Sequence, residues 1–302
     1  METFRQAPRN AVRHSSPESL EPILGQLMTA EEYAHMSHDR PYIFKIKNGQ
    51  KKLNYFGAAH GSDPSDEQFN QIEHAFQEAD PDIVFVEGVH VSGDIARFNN
   101  YVANQSRNVA IEEGGEPRFT LKLAIQKGIE WRSPEPQEEE MYNFLIEKGY
   151  TKDEIFAWCV FRLLPQYSWQ TKRDAFEKFV ESYIERFKGA TRWEGFIYSY
   201  ENALRLGEQI LGRKIDVENV VAPADIIDPI PWPEMKDTQT VLNRINETTG
   251  QFRDRKIVMA IAEALKSHDK VFVVYGSSHA VMQEPALRAL LGTFKDEADI
   301  KL

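Results

Sequence analysis

Cysteine is almost absent: Cys159 is the single one in 302 residues. One thiol cannot close an internal disulfide, and it excludes a structural zinc site of the multi-cysteine type. Between Trp158 and Val160 it is expected to be a buried, inert thiol. Positive charge is short too, with 36 Lys+Arg against 47 Asp+Glu and a net charge of −11. General nucleic-acid binding and adsorption to an anionic membrane both rest on clustered basic residues, so neither fits. No apolar run approaches the roughly 20 residues that span a bilayer, and the first twenty residues hold no stretch of signal-peptide length. The expectation is a cytoplasmic protein, with the polar segment 1–17 a tail outside the fold. Also missing are GxSxG, GxxxxGK[ST], GxGxxG and HExxH, which disfavours a serine-triad hydrolase, a nucleotide-driven enzyme and a zincin of the usual kind.

Apolar material is sufficient for a core, at 41% hydrophobic and 11% aromatic residues. Residues 41–47 (PYIFKIK) and 51–56 (KKLNYF) read as strands joined by a turn at Asn48-Gly49. Ser65 to Ala79 reads as a helix with a Ser65/Gln68 capping box and Phe69, Ile72, Phe76 and Ala79 on one face. Asp80-Pro81-Asp82 ends it, and Ile83 to Val86 has the continuous apolar character of a buried parallel strand. A helix from about Thr120 to Lys127-Gly128 leads to a short strand, Ile129 to Trp131. Residues 138–212 read as a helical insertion with its own aromatic core, running from Phe156, Trp158 and Phe161 through Trp169 to Tyr200. Asp225 to Pro233 is a proline-rich connector. Arg253 to His268 is an amphipathic helix, Val271 to Tyr275 a buried strand, and Glu284 to Gly292 a last helix with proline near its first turn. The predicted class is α/β, a single domain over 18–302: a central mixed sheet flanked by helices, with the insertion capping the sheet's carboxyl edge.

The most specific local feature is a repeat, Gly57-Ala58-Ala59-His60 and Gly276-Ser277-Ser278-His279, each following an apolar strand and preceding a helix. With 17 Gly and 8 His in the chain, one such spacing carries no weight. The shared context carries it: glycine permits the tight exit turn, and the histidine projects from the carboxyl edge, where open α/β sheets place their sites. Two loop histidines capping carbonyls is the competing account. Glu87 ends the strand expected beside the first GxxH strand after a right-handed crossover. It suits either a metal ligand with His60 and His279, a general base, or a rim carboxylate paired with Lys or Arg. Glu135, bracketed by prolines, is a second carboxylate candidate or a plain turn residue. Arg253 can stabilise an oxyanion or orient a carboxylate, against a surface pairing with Asp254; Arg255 is a substitute. His90 reads as solvated, His74 as structural, and Glu138 to Glu140 as the solvated start of a helix.

In order and type, these residues resemble the TraB/PrgY/GumN family, which includes the Tiki proteases and belongs to a superfamily with erythromycin esterases and ChaN-like proteins. The likeness lies in GAAH ending at His60, IVFVE ending at Glu87, KGIEWRSPEPQEEEM placing Glu135, Arg253-Asp254 leading into IVMAIAEAL, and VFVVYGSSHAVM. It covers about Lys51 to Glu140 and Thr248 to Gly292. The resemblance implies a divalent-metal-dependent hydrolase, with His60, Glu87 and His279 holding Mn, Co or Zn, Glu135 as ligand or base, and Arg253 stabilising negative charge. Its substrate would be a peptide or small molecule, with no nucleic acid or membrane partner; a homo-oligomer is left open. Glu87 is followed by Gly88-Val89 instead of a second acidic residue, so any ligand expected there is missing. The esterase relatives imply an alternative without metal, with His60 as general base beside Glu87. A third alternative is a non-catalytic protein that sequesters a peptide or small ligand under the aromatic cap.

Overall fold

The computed structural model describes residues 20–91, 93–168, 175–217, 224–235 and 237–294. The tail 1–17 and Trp169 lie outside them. Five strands form one mixed sheet: β1 (Tyr42–Asn48), β2 (Lys51–Ala58), β3 (Ile83–Val86), β4 (Glu130–Arg132) and β5 (Lys270–Gly276), in the order β1-β2-β5-β3-β4. β1 pairs antiparallel with β2, Asn48 opposite Lys51, so the tight turn is Gly49-Gln50, with Gly49 at φ +56°. The other pairings are parallel.

The Glu87 strand does not lie beside the first GxxH strand, because β5 separates them. Both GxxH strands are instead immediate neighbours, with Ala58 opposite Gly276, and Val86 is opposite Val274 on β5's other side. The apolar run of β5 is the reason: its described residues from Val271 to Gly276 are all buried, which suits the middle of a parallel sheet.

Side-chain alternation assigns the two faces. Leu53, Tyr55, Ile83, Phe85, Val271, Val273 and Tyr275 pack with Ile257, Val258 and Ile261 of the helix Val241–Ala264 and with Leu287, Leu290 and Leu291 of the helix Ser277–Gly292. Phe56, Val84, Val86, Phe272 and Val274 face Phe69, Ile72 and Phe76 of the helix Gln68–Ala79 and Phe119 of the helix Arg107–Gln126. The predicted α/β class, a mixed sheet flanked by helices, is thus the observed one.

Helix boundaries differ in instructive ways. The first of these helices starts at Gln68, without the Ser65/Gln68 box; Ser65 binds Asp63, and Asp66 accepts the Gln68 N–H. The helix predicted from Thr120 begins at Arg107 and is interrupted by non-helical Gly114 and Gly115. The helix predicted from Arg253 begins twelve residues earlier, capped by Thr240 with Asn243. The last helix starts at Ser277, directly after β5, and takes Pro285 into its interior.

The described residues between 138 and 211 form helices Glu138–Glu147, Lys152–Phe161, Leu164–Ser168, Phe176–Thr191 and Tyr200–Leu211, with a core of their own containing Trp158, Phe161, Tyr167 and Phe187. Cys159 lies in it, and burial pushes its thiol up. Leu242 and Ile245 belong to this core, whereas Ile257 and Ile261 belong to the sheet's, so the helix Val241–Ala264 runs from one core into the other. Phe144 stacks on Phe252 at 4.2 Å, and Lys256 pairs with Glu140, along that passage. A Cβ on Gly207 would enter the ring of fully buried Phe161. Gly207→Ala is therefore expected to cost about 1–3 kcal/mol, measured as a lower urea midpoint with unchanged slope.

Candidate functional site

The carboxyl ends of β2, β5, β3 and β4 reach one edge, and the chain beyond each delivers a site residue. His60 comes two residues after β2, Glu87 directly after β3, Glu135 three residues after β4, and His279 in the first turn after β5. Arg253 arrives from the helix Val241–Ala264 where it passes between the two cores. All five sequence candidates come together.

Glu87 is the hub. Its Oε1 accepts from Arg253 Nη2 at 2.9 Å and its Oε2 from the Gly276 N–H at 2.7 Å. The same guanidinium grips Glu135 twice, Nε to Oε2 at 2.7 Å and Nη2 to Oε1 at 2.9 Å. Arg253 is thus committed to two carboxylates and not to Asp254, while Arg255 pairs outward with Glu21. Successive helical residues point about 100° apart, so Asp254 faces elsewhere: its Oδ1 meets His279 Nδ1 at 2.6 Å and accepts from Gln283 Nε2 at 2.7 Å. Tyr55 donates to Gln283 at 2.9 Å, closing that side.

Two imidazoles flank Glu87. His279 Nε2 lies 3.6 Å from Oε1, and His60 Nε2 lies 3.9 Å from Oε2. His60 Nδ1 lies 3.8 Å from Glu116 Oε2, and Glu116 Oε1 accepts the Gly61 N–H at 2.7 Å. The result is an alternating series, Glu116, His60, Glu87, His279, Asp254. Glu116 is delivered by the break in its helix: Gly115 sits at φ +56°, and a Cβ there would come within 2.8 Å of the Gly61 carbonyl oxygen. A Cβ on Gly276 would approach His60 Nε2 to 2.7 Å, so both GxxH glycines are needed for clearance; on Gly57 it would meet Ala280 Cβ at 2.6 Å.

Burial separates the two histidines. The His279 side chain is 14% exposed and that of His60 55%. Burial alone pushes the Glu87 carboxyl up, but the charges of His279, Arg253 and His60 and the Gly276 N–H hold it down, to about 2. The Glu116 carboxylate pushes His60 up, outweighing burial. Burial pulls His279 down, and Asp254 with Glu87 more than reverses it. The Tyr275 hydroxyl is buried beside this cluster without a hydrogen-bond partner among the described residues, and its ring meets His279 edge-on. Burial and the Glu135 and Glu87 charges push it well up. Sequence reasoning missed Glu116, Asp254 as the His279 partner, and Tyr275. His90 and His74 are exposed.

As arranged, the donors do not fit a divalent ion. The two imidazoles address opposite oxygens of Glu87, each oxygen already accepts a hydrogen bond, and Glu135 is spent on Arg253. Among the described residues no group of three His, Cys, Asp or Glu side chains is set to hold a metal ion.

Two cavities meet the cluster. One of about 500 Å³ is lined by Arg40, Ala58, Ala59, His60, Ser277 and Ser278. The other, of about 320 Å³, has Arg253, Asp254, Ser278 and His279 at one end and Tyr33, Ile230 and Trp232 along its wall. Among the described residues no helix is long and apolar enough to cross a membrane. Comparisons of the chain with protein-family models, with curated proteins and with solved structures find no match.

Proposed function

We propose that the protein is a hydrolase of ester or amide bonds in which His60 is the general base, with no metal in the chemical step. The carrying observation is the alternating carboxylate–imidazole series centred on Glu87, whose fixed cation is Arg253. His60, half-exposed on the larger cavity, is the imidazole that solvent reaches, whereas His279 is buried with its Nδ1 bound to Asp254. Neutral His60 takes a proton from water as the water oxygen bonds to the substrate carbonyl carbon. The first N–H groups of the helix Ser277–Gly292 have no intrahelical acceptor and no side-chain cap, and they border the same cavity, so they suit the developing oxyanion. Protonated His279 then donates to the leaving group as the carbon–heteroatom bond breaks, and solvent resets both imidazoles. Glu87 stabilises whichever imidazolium is present.

The resemblance to the TraB/PrgY/GumN family, whose superfamily includes the erythromycin esterases, is compatible with this version, and a cytoplasmic location with a peptide or small-molecule substrate accords with it. The helical subdomain 138–211, docked through Phe144 and Glu140 beside Arg253, would cap the site. The metal-dependent reading is favoured by one observation: each imidazole has Nδ1 against a carboxylate and Nε2 inward, the orientation metal-binding histidines adopt. It requires Glu87 to be released by Arg253 and Gly276. A panel of aryl esters and fluorogenic peptides, assayed with a strong chelator and separately with Mn, Co or Zn, decides between them. Turnover that survives chelation is expected. Turnover abolished by the chelator and restored by metal would transfer the chemistry to an ion, and no turnover under either condition would leave the sequestering protein.

A further inference from the structure

The smaller cavity has a charge that the chemical step does not use. Arg40 lines both cavities, is exposed, and has no carboxylate within ion-pair distance among the described residues. Its charge lies beside the Tyr33 hydroxyl, which is itself engaged with His38 Nε2 at 2.7 Å. The acids on the same wall are occupied otherwise. Asp228 accepts from the Ile230 N–H and from Trp232 Nε1 at 2.8 and 3.0 Å, and Glu247 accepts from Gln251 at 3.2 Å. Arg253, the other cation there, is committed to Glu87 and Glu135.

Next to Arg40 the wall is aromatic and aliphatic. Tyr33 and Trp232 are tilted rings 6.1 Å apart, and Tyr33, Ile230 and Met282 belong to one buried cluster. The tie from Asp228 to the Trp232 indole holds that ring in place. About 320 Å³ is room for one large residue and not for an extended chain. A slot with an apolar wall, His279 at one end and on its rim a guanidinium beside the Tyr33 hydroxyl with no carboxylate partner among the described residues selects a group that is apolar in body and anionic at its tip.

We infer that this cavity receives a terminal residue with a large apolar side chain and a free carboxylate, the carboxylate pairing with Arg40. The substrates would then be N-acyl amino acids or the C-terminal ends of peptides, a class that rests on the hydrolase reading above. Arg40 is a specificity residue with no part in the proton transfers.

Calorimetric titration of the full chain with N-acetyl-L-phenylalanine and with N-acetyl-L-phenylalaninamide tests the pocket without requiring turnover. The acid is expected to bind roughly tenfold or more tightly than the amide, the worth of a charge-assisted hydrogen bond. Arg40→Gln should erase that difference, and Trp232→Ala should weaken both ligands while keeping the preference for the acid. Equal binding of acid and amide by wild type, binding of neither, or a preference that survives Arg40→Gln would each overturn the pocket. Paired free-acid and C-terminally amidated peptides separate the two levels. Selective binding of the acid without cleavage of either peptide refutes the hydrolase reading and keeps the pocket; equal cleavage of both, untouched by Arg40→Gln, does the reverse.

Discussion

Glu87→Ala is expected to lower stability by about 3 kcal/mol at neutral pH and to abolish hydrolysis. Removing one partner of a buried ion pair typically costs about 3–5 kcal/mol, and the lower end applies because Arg253 keeps its two bonds to Glu135. The Gly276 N–H also loses its acceptor, at the joint where β5 becomes a helix. Glu87→Gln separates charge from shape, since an amide can still accept from Gly276 but is a poor match for the guanidinium. The pH dependence gives an independent check. The Glu87 carboxyl is held at about 2, against an ordinary 4.5, so the carboxylate is favoured by the fold. Its contribution is fully present above pH 4.5 and is lost as pH falls towards 2, by about 3 kcal/mol. His60 and His279 are raised, so their contribution is present below 6.5 and declines as pH rises above it. Stability from this cluster is greatest between about pH 4.5 and 6.5. Urea unfolding at pH 3, 5.5 and 8 should show a wild-type loss on the acid side that Glu87→Gln largely lacks; an acid loss of equal size in the variant would remove Glu87 from this role.

The same residues show what one-dimensional reading can reach. Each strand's apolar run, and the glycine or charged residue directly after it, is local information, so His60, Glu87 and His279 were legible as occupants of one sheet edge. Strand order was not. The neighbour of β2 is fixed by which hydrophobic strand is buried on both sides, and β5 wins the centre although it is the last strand in sequence. Glu116 had a local trace, two glycines before it and a proline after it inside a helical stretch, but its target Gly61 lies 55 residues away. Asp254 shows a simpler error of geometry: adjacent residues on a helix cannot face each other, so Arg253 and Asp254 serve different partners, Glu87 with Glu135 and His279. The helix Val241–Ala264 starts earlier than its apolar stripe predicts for a related reason. Its first half is amphipathic towards the helical subdomain and its second half towards the sheet, so no single stripe runs its length.

His60→Ala should reduce kcat/KM by roughly 10²–10⁴, the usual worth of a positioned general base, while moving the unfolding midpoint little, because half of the side chain is in solvent and its approaches to Glu116 at 3.8 Å and Glu87 at 3.9 Å are longer than hydrogen bonds. Loss of activity alone does not identify a base, and the pH profile does. A base must be neutral to act, and Glu116 holds His60 above its ordinary 6.5, so wild-type kcat/KM is expected to rise with pH through a limb lying above 6.5. Glu116→Gln removes the charge that favours the imidazolium, while the amide oxygen can still take the Gly61 N–H. That limb should then move to lower pH, and the rate below pH 6.5 should exceed the wild type's once the limb has shifted. Asp254 sits on the far histidine and is not expected to move this limb. A limb that stays in place in Glu116→Gln, or that persists in His60→Ala, would assign the titrating base to another group. A limb that shifts while kcat/KM on the plateau is retained would establish that Glu116 sets the acidity of His60 without being needed for the chemistry itself.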